Sequence, residues 1–215
     1  MEEFRNAIDL TTNSYDVVAQ KYHDLFKDEL TYKLFDRKLL ETFARNFNFR
    51  SKIYDMGCGP SGHIGKFLFD HGYDVTGVDI SLNCVSIASE YNPGMKFGQM
   101  DMSKLDIEDE SIDGIIAYYS IIHIPKQYVS IYFKEFQRVL AKGGKLLVSV
   151  KSGNEEGYVE NFLESNTSIY FSHFIKSEIK NYFLENGFAI NSINERIPYD
   201  EEIDVKRIYA IGERV

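Results

Sequence analysis

The feature that most constrains this chain is the regular alternation of short apolar strands with amphipathic helices across its middle. The predicted strands cover residues 52–56, 74–79, 95–99, 112–118 and 144–150, and the predicted helices cover 62–71, 81–91 and 126–141. Strands that helices connect in this way run parallel, and their apolar character means that both faces of the sheet are covered. The pattern therefore predicts an α/β fold with a doubly wound, mostly parallel sheet.

The two ends of the chain follow other patterns. Apolar residues at helical spacing predict one helix over residues 14–26 and a second between 30 and 47. A polar stretch follows residue 150, and a last helix ends near Gly187. Strands near 188–197 and 205–212 have too short a connection for a helical crossover and should form an antiparallel hairpin. We expect one domain over 1–215, with a helical cap (1–50), a cofactor-binding core (51–150) and a substrate-rim segment (151–215).

Composition limits the partners of the chain. It has 215 residues, a formal net charge of −9 and two cysteines. An acidic chain without a basic stripe repels nucleic acid and anionic membranes, so neither is expected as a partner. No His or acidic cluster has metal-ligand spacing, and no metal is expected. Without a leader-like N-terminus or a long apolar run, we expect a cytoplasmic protein. The oligomeric state is not determined by these features.

A glycine-rich turn follows the first predicted strand. Gly57, Gly59 and Gly62 let the chain turn sharply and leave room for a ligand at the N-terminus of the next helix. Cys58 between them is interpreted as a small filler. Asp79 ends the second strand, where a carboxylate can accept both hydroxyls of a ribose. The turn therefore predicts a nucleotide-like ligand.

The glycine spacing alone also matches the fingerprint of dinucleotide-binding proteins. Asp55, two residues before Gly57, is unfavourable beside a pyrophosphate but favourable beside an ammonium group. Tyr118 and Tyr119 at the end of the fourth strand offer aromatic faces and carbonyls to a sulfonium. These residues favour S-adenosylmethionine over NAD.

Several segments resemble the class I S-adenosylmethionine-dependent methyltransferases of small molecules. The similar segments are 55–59, 79–80, 99–102, 111–125 and 135–146. The resemblance implies a Rossmann-like sheet of seven strands in which only the C-terminal hairpin is antiparallel. It also implies that Asp79 binds the ribose, that Ile80 packs on the adenine and that Asp101, with Met102 beside it, contacts the adenine. One departure is that Ser61 stands where the family has its third glycine, with Gly62 one residue later.

Other residues are candidates for closing the site and for catalysis. Tyr15 and Tyr22 share a face of the first helix, where they either close over the cofactor, as the family's cap helix does, or pack in the core. His123 follows the fourth strand and is the candidate general base, with a structural role as the alternative.

The candidates for holding the acceptor lie near the predicted rim. The rim residues are His173, Lys151, Arg196 and Arg207, and any of the three cations could bind an anionic group or form surface ion pairs.

These residues predict transfer of a methyl group from S-adenosylmethionine to an oxygen or nitrogen atom of a small molecule, with S-adenosylhomocysteine as product. Two alternatives remain open. The chain could be an NAD-dependent oxidoreductase, which rests on the glycine spacing and Asp79 alone. It could also be a non-catalytic module that binds S-adenosylmethionine and has no open acceptor pocket.

Overall fold

The computed structural model describes residues 1–215 and has a seven-stranded sheet at its centre, in the order β3-β2-β1-β4-β5-β9-β8. The sheet strands are β1 (Lys52–Met56), β2 (Asp74–Asp79), β3 (Lys96–Gln99), β4 (Ile112–Tyr118), β5 (Leu140–Lys151), β8 (Phe188–Arg196) and β9 (Arg207–Arg214). Strands β1 to β5 pair in parallel, and β9 pairs antiparallel with both β5 and β8. The predicted fold class is confirmed.

Six α-helices accompany the sheet. They are α1 (Glu2–Phe26), α2 (Leu34–Ala44), α3 (His63–Asp70), α4 (Leu82–Tyr91), α5 (Val129–Val139) and α6 (Lys176–Glu185). Local sequence explains where α4 begins, because the Ser81 hydroxyl accepts a hydrogen bond from the Cys84 N–H at 3.0 Å and caps the helix. No helix has the length and apolar character needed to cross a membrane.

Helices pack on both faces of the sheet, as the apolar strands require. Successive residues of β4 point to opposite faces: Ile115 packs in one apolar cluster with Phe133 of α5, and Ile116 packs in a second cluster with Leu40 of α2. All four side chains are buried. This two-sided core holds the carboxyl ends of β1, β2, β4 and β5 at one edge, where the candidate site lies.

Three elements differ from the sequence-based expectation. The segment after β5 contains a second hairpin, formed by β6 (Glu156–Val159) and β7 (Ile169–Ser172). Its strands are short and exposed in part, so the sequence shows only weak alternation there. Helix α1 begins at Glu2 rather than 14, since Phe4 and Ala7 are also buried. Helix α5 begins at Val129 rather than 126, because residues 126–128 form a 3₁₀ turn after Pro125.

Candidate active site

A cavity of about 680 Å³ lies at the carboxyl ends of the central strands, beneath helix α1. The crevice outside these strand ends is the usual ligand site of doubly wound sheets. Ten residues selected from the sequence line it: Tyr15, Tyr22, Gly57, Asp79, Ile80, Asp101, Met102, Tyr118, Tyr119 and His123. Residues far apart in the chain therefore meet here, and we call this space the first cavity.

The glycine turn forms one wall of the first cavity. The backbone N–H groups of Gly57 and Cys58 both donate to the Val78 carbonyl, at 2.8 and 3.0 Å, and so tie the turn to β2. Gly57 has φ +71°, and a Cβ at this position would lie 2.4 Å from the Ser120 Cβ. Only glycine fits this backbone without displacing a neighbour.

Asp79 links the glycine turn to the start of α4. One carboxylate oxygen accepts from the Gly59 N–H and the other from the Ser81 N–H, both at 2.9 Å. Burial raises the pKa of Asp79, while these backbone hydrogen bonds lower it. The side chain is held in one orientation and also faces the first cavity.

Asp55 occupies a different place from the one expected. Its side chain lies beneath the glycine turn, where it accepts a hydrogen bond from the Gly65 N–H at 2.9 Å, and it does not line the first cavity. Only 1% of the residue is exposed, and burial raises its pKa to about 7. The expected direct contact with an ammonium group is therefore replaced by a contact that holds the first turn of α3.

Three more residues of the turn shape it without lining the cavity. Gly62 has φ +55° and a Cβ there would lie 2.9 Å from the Phe97 ring, so glycine is needed at this later position. Gly59 has φ +62° and donates to Asp79. Burial raises the pKa of the Cys58 thiol, which disfavours a reactive thiolate and agrees with its interpretation as a filler.

The raised pKa of Asp55 predicts a pH-dependent stability. The folded state holds a proton on Asp55 that the unfolded chain releases near its ordinary value of 3.8, so this stabilisation is lost as the pH rises toward 7. Relative to wild type, Asp55→Asn should therefore gain about 2 kcal/mol in free energy of unfolding between about pH 5 and about pH 8. Urea denaturation of both proteins at each pH measures the change in their free energies of unfolding.

The control for this prediction is Asp113→Asn. Asp113 accepts a backbone hydrogen bond from the Lys52 N–H at 2.8 Å and is partly exposed, so its replacement removes a carboxylate with a similar contact outside the core. Equal pH dependence of wild type and Asp55→Asn would show that the buried carboxyl keeps its ordinary pKa.

Tyr119 is held in a strained conformation between the cavity and the sheet. Its φ is +54°, which is unusual for a residue with a side chain, and its N–H donates to the Ser149 carbonyl at 2.9 Å. Its hydroxyl is 2.8 Å from the Tyr209 hydroxyl, which donates to the carboxylate of Asp36 at 2.8 Å. Tyr118 also donates to Asp36. The sequence did not indicate Asp36 or Tyr209, because only folding brings α2 and β9 together.

His123 and Tyr15 form a hydrogen-bonded pair at the cavity wall. The His123 Nδ1 lies 2.8 Å from the Tyr170 carbonyl, which can only accept, so Nδ1 carries the proton. Nε2 is 3.1 Å from the Tyr15 hydroxyl and accepts from it. Burial lowers the pKa of His123 to about 4, so the ring is neutral at pH 7.

A second cavity, of about 1060 Å³, adjoins the first. Tyr15, Tyr22, Tyr119 and His123 line both cavities and form a common wall of rings. Lys151 and Arg207, two of the predicted acceptor residues, also line the second cavity. This space offers a route by which a second molecule can approach the first cavity.

The other two predicted acceptor residues are engaged elsewhere. Arg196 is held in ion pairs with Asp36 at 3.1 Å and Glu202 at 2.6 Å, and it lines neither cavity. His173 faces Glu155, with Nδ1 3.5 Å from the carboxylate, and also lies outside both cavities. Side-chain direction depends on partners that are distant in sequence, and the sequence pattern does not show these partners.

Comparison with known proteins gives one family match and many structural neighbours. The sequence model of the methyltransferase domain family matches residues 54–148. Phosphoethanolamine N-methyltransferase 3 of Arabidopsis thaliana is 35% identical over 104 residues, which are 46% of this chain and 20% of that protein. The match thus spans about a fifth of the relative's length.

Two solved structures resemble nearly the whole chain. The 1,6-didemethyltoxoflavin-N1-methyltransferase of Burkholderia thailandensis, solved with S-adenosylhomocysteine, has a TM-score of 0.75 at 15% identity and covers 99% of this chain and 90% of its own. The magnesium protoporphyrin IX methyltransferase of Synechocystis, solved with S-adenosylmethionine, has a TM-score of 0.72 at 16% identity. The match covers 96% of this chain and 97% of that protein. At these identities, the structural likeness shows the fold alone.

Proposed function

We propose that this chain, of which residues 54–148 match the methyltransferase domain family, is an enzyme that transfers a methyl group from S-adenosylmethionine to an oxygen or nitrogen atom of a small molecule. The observation that carries the proposal is the pair of cavities that share a wall at Tyr15, Tyr22, Tyr119 and His123. The lining of the first suits S-adenosylmethionine, and the second is open to an acceptor.

The residues of the first cavity fit this cofactor. The Ser120 hydroxyl is buried, lines the cavity and has no hydrogen-bond partner in the protein, so a bound polar group could satisfy it. The absence of a side chain at Gly57 lets Ser120 pack directly against the glycine turn, which positions this hydroxyl. Asp79 presents a fixed carboxylate to the same cavity. Together these features support a ligand with ribose hydroxyls and an amino-acid end.

The positions of the residues that line the first cavity suggest what each would contribute to cofactor binding. Asp79 would accept the ribose hydroxyls, while Ile80 and Met102 would pack against the adenine. Asp101 lines the same end of the cavity and accepts from the Ser103 N–H at 2.7 Å, which fixes its carboxylate for an adenine contact. Asp55 would act indirectly, through the turn that it holds.

Bound S-adenosylmethionine supplies a methyl group that its sulfonium already activates. The protein then has to orient the acceptor and exclude water, and this alignment is the larger contribution. Tyr15 and Tyr22 on α1 and Tyr119 after β4 would form the passage between the cavities. The neutral His123 fixes the Tyr15 hydroxyl in that passage. Its role as a general base stays a prediction, since a pKa near 4 makes it a weak base.

The two alternatives have less support. An NAD-dependent oxidoreductase rests on the glycine spacing and Asp79 alone, and the family match does not favour it. A non-catalytic binding module would not need the second cavity.

Calorimetry with S-adenosylmethionine, S-adenosylhomocysteine and NAD tests the proposal directly. We expect micromolar binding of the first two and none of NAD, followed by label transfer from methyl-labelled cofactor to an acceptor. In the same assays, His123→Gln should slow turnover and leave cofactor affinity unchanged. Loss of both properties would give His123 a structural role, and binding of NAD alone would refute the proposed function.

A further inference from the structure

Three basic side chains lie in a row across the last strands of the sheet. Lys151, the last residue of β5, pairs directly with Arg207 of β9, and Arg207 pairs on its other side with Arg196 of β8. Directly opposite residues in an antiparallel pair place their side chains on the same face, where like charges repel. Lys151 and Arg207 both line the second cavity, so this repulsion is located at the cavity wall.

Nearby carboxylates neutralise only part of this charge. Glu202 is shared by three cations: it lies 2.6 Å from Arg196, 3.0 Å from Lys33 and 3.8 Å from Arg207. The longest of these ion pairs is the one that reaches Arg207. Lys151 makes no ion pair and no hydrogen bond through its ammonium group.

The other carboxylates around the second cavity do not supply the missing charge. Glu29 pairs with Lys33 at 2.6 Å and with His63 at 2.8 Å. Glu201 lines the cavity but is exposed and lies within 4.0 Å of no cation. The cluster of Lys33, Lys151, Arg196 and Arg207 thus has four cations against the three paired carboxylates of Glu29, Asp36 and Glu202.

The burial and the pKa of Lys151 agree with a site that binds an anion. The side chain is half-buried, and burial, followed by the charge of Arg207, lowers its pKa to about 8. An uncompensated cation in a partly desolvated cavity is unfavourable, and an anion beside it would remove this cost.

Aromatic side chains form another part of the lining of the second cavity. Tyr15 packs against Tyr22 and Phe162, with ring centroids 5.6 Å apart in both pairs. All three rings line the cavity, together with Phe26 and Tyr32. Such a wall suits a planar ring, which would stack or meet these rings edge to face.

We propose that the methyl acceptor is a small aromatic acid whose carboxylate or phosphate group is bound by Lys151 and Arg207. Its ring lies against Tyr15, Tyr22 and Phe162, and its hydroxyl or amino group points through the shared wall to the first cavity. The inference rests on the proposed function, because the second cavity receives the acceptor only if the cofactor occupies the first. The inference goes beyond the proposed function because it specifies the charge and the shape of the acceptor.

Calorimetry on the protein saturated with S-adenosylhomocysteine tests the inference. The probes are 4-hydroxybenzoate and phenyl phosphate, with 4-hydroxybenzamide as the neutral counterpart. The affinity of at least one acid should exceed that of the amide by a factor of about ten or more. The reason is that charge-assisted hydrogen bonds to two cations are stronger than neutral ones. The two acids distinguish a carboxylate site from a phosphate site.

Variants locate the effect. Lys151→Met should abolish the preference for the acid, while Lys206→Met should keep it, since Lys206 is an exposed lysine next to Arg207 that does not line the cavity. If Lys151→Met fails to fold, Arg207→Lys, which keeps the charge but loses the planar donor group, should weaken acid binding without changing the affinity for the amide.

Binding of S-adenosylhomocysteine, measured first on every sample, separates two kinds of failure. If it does not bind to wild type, the proposed function fails. If it binds but the acids bind no tighter than the amide, or not at all, the inference about the acceptor is wrong. The same conclusion follows if Lys151→Met retains the full preference.

Discussion

Replacing Asp79 by alanine is expected to lower the affinity for S-adenosylhomocysteine by about a hundredfold, which corresponds to the loss of one or two hydrogen bonds to a charged group. The carboxylate performs two tasks. It faces the first cavity as an acceptor for ribose hydroxyls, and it fixes the glycine turn and the start of α4 through the N–H groups of Gly59 and Ser81. Calorimetry on the purified variant measures the change.

Two further variants separate these tasks. Asp79→Asn keeps an oxygen that can accept from one N–H and should lose less affinity than alanine. Asp74→Ala removes a carboxylate from the other end of β2, where it pairs with the exposed Lys96 at 3.0 Å, and should bind as wild type does. Unchanged affinity in Asp79→Ala would remove this residue from the cofactor site.

Gly57→Ala is expected to weaken cofactor binding by roughly thirtyfold or more, because strain in the left-handed region and the steric cost of the added methyl together reach about 2 kcal/mol or more. The backbone there has φ +71°, and the new Cβ would lie 2.4 Å from the Ser120 Cβ. The turn must shift, and the cavity that it lines shifts with it. The affinity for S-adenosylhomocysteine and the thermal stability of the variant measure the effect of this shift.

The contact with Ser120 permits a double-mutant experiment. In a Ser120→Gly background, which lacks both the clashing Cβ and the hydroxyl offered to the cofactor, Gly57→Ala should lower the affinity by less than it does in the wild type, while the backbone strain remains. Gly98→Ala is the matched control, because a Cβ at this position has no neighbour within 4 Å. Equal affinity of Gly57→Ala and Gly98→Ala would show that the turn adapts to a side chain without cost to the site.

The fold and the glycine turn could be predicted from the sequence because both depend on local patterns. Strand and helix periodicity determine which segments pack on the sheet, and positive φ at Gly57 is a property of a few consecutive residues. Asp79 could be selected as well, since the end of a parallel strand always lies at the ligand edge.

The direction of Asp55 could not be predicted in the same way. Its position beside the turn is local, but its carboxylate turns toward the N–H of Gly65, ten residues later, instead of the cavity. The buried backbone donor at the start of α3 needs an acceptor, and this requirement becomes visible only when the helix is in place.

The sequence by itself determined the alternation of strands and helices in the central sheet, the glycine turn and the edge of the sheet at which the site lies. The tertiary structure alone decided the second cavity, since its lining comes from α1, from β5 and β9, and from the loops near residues 33, 162 and 202. It also decided the charge there, because the insertion of β9 between β5 and β8 places Arg207 opposite Lys151. The physical reason is range: periodicity and turn chemistry act over a few residues, whereas the electrostatic balance of a cavity depends on side chains that only folding brings together.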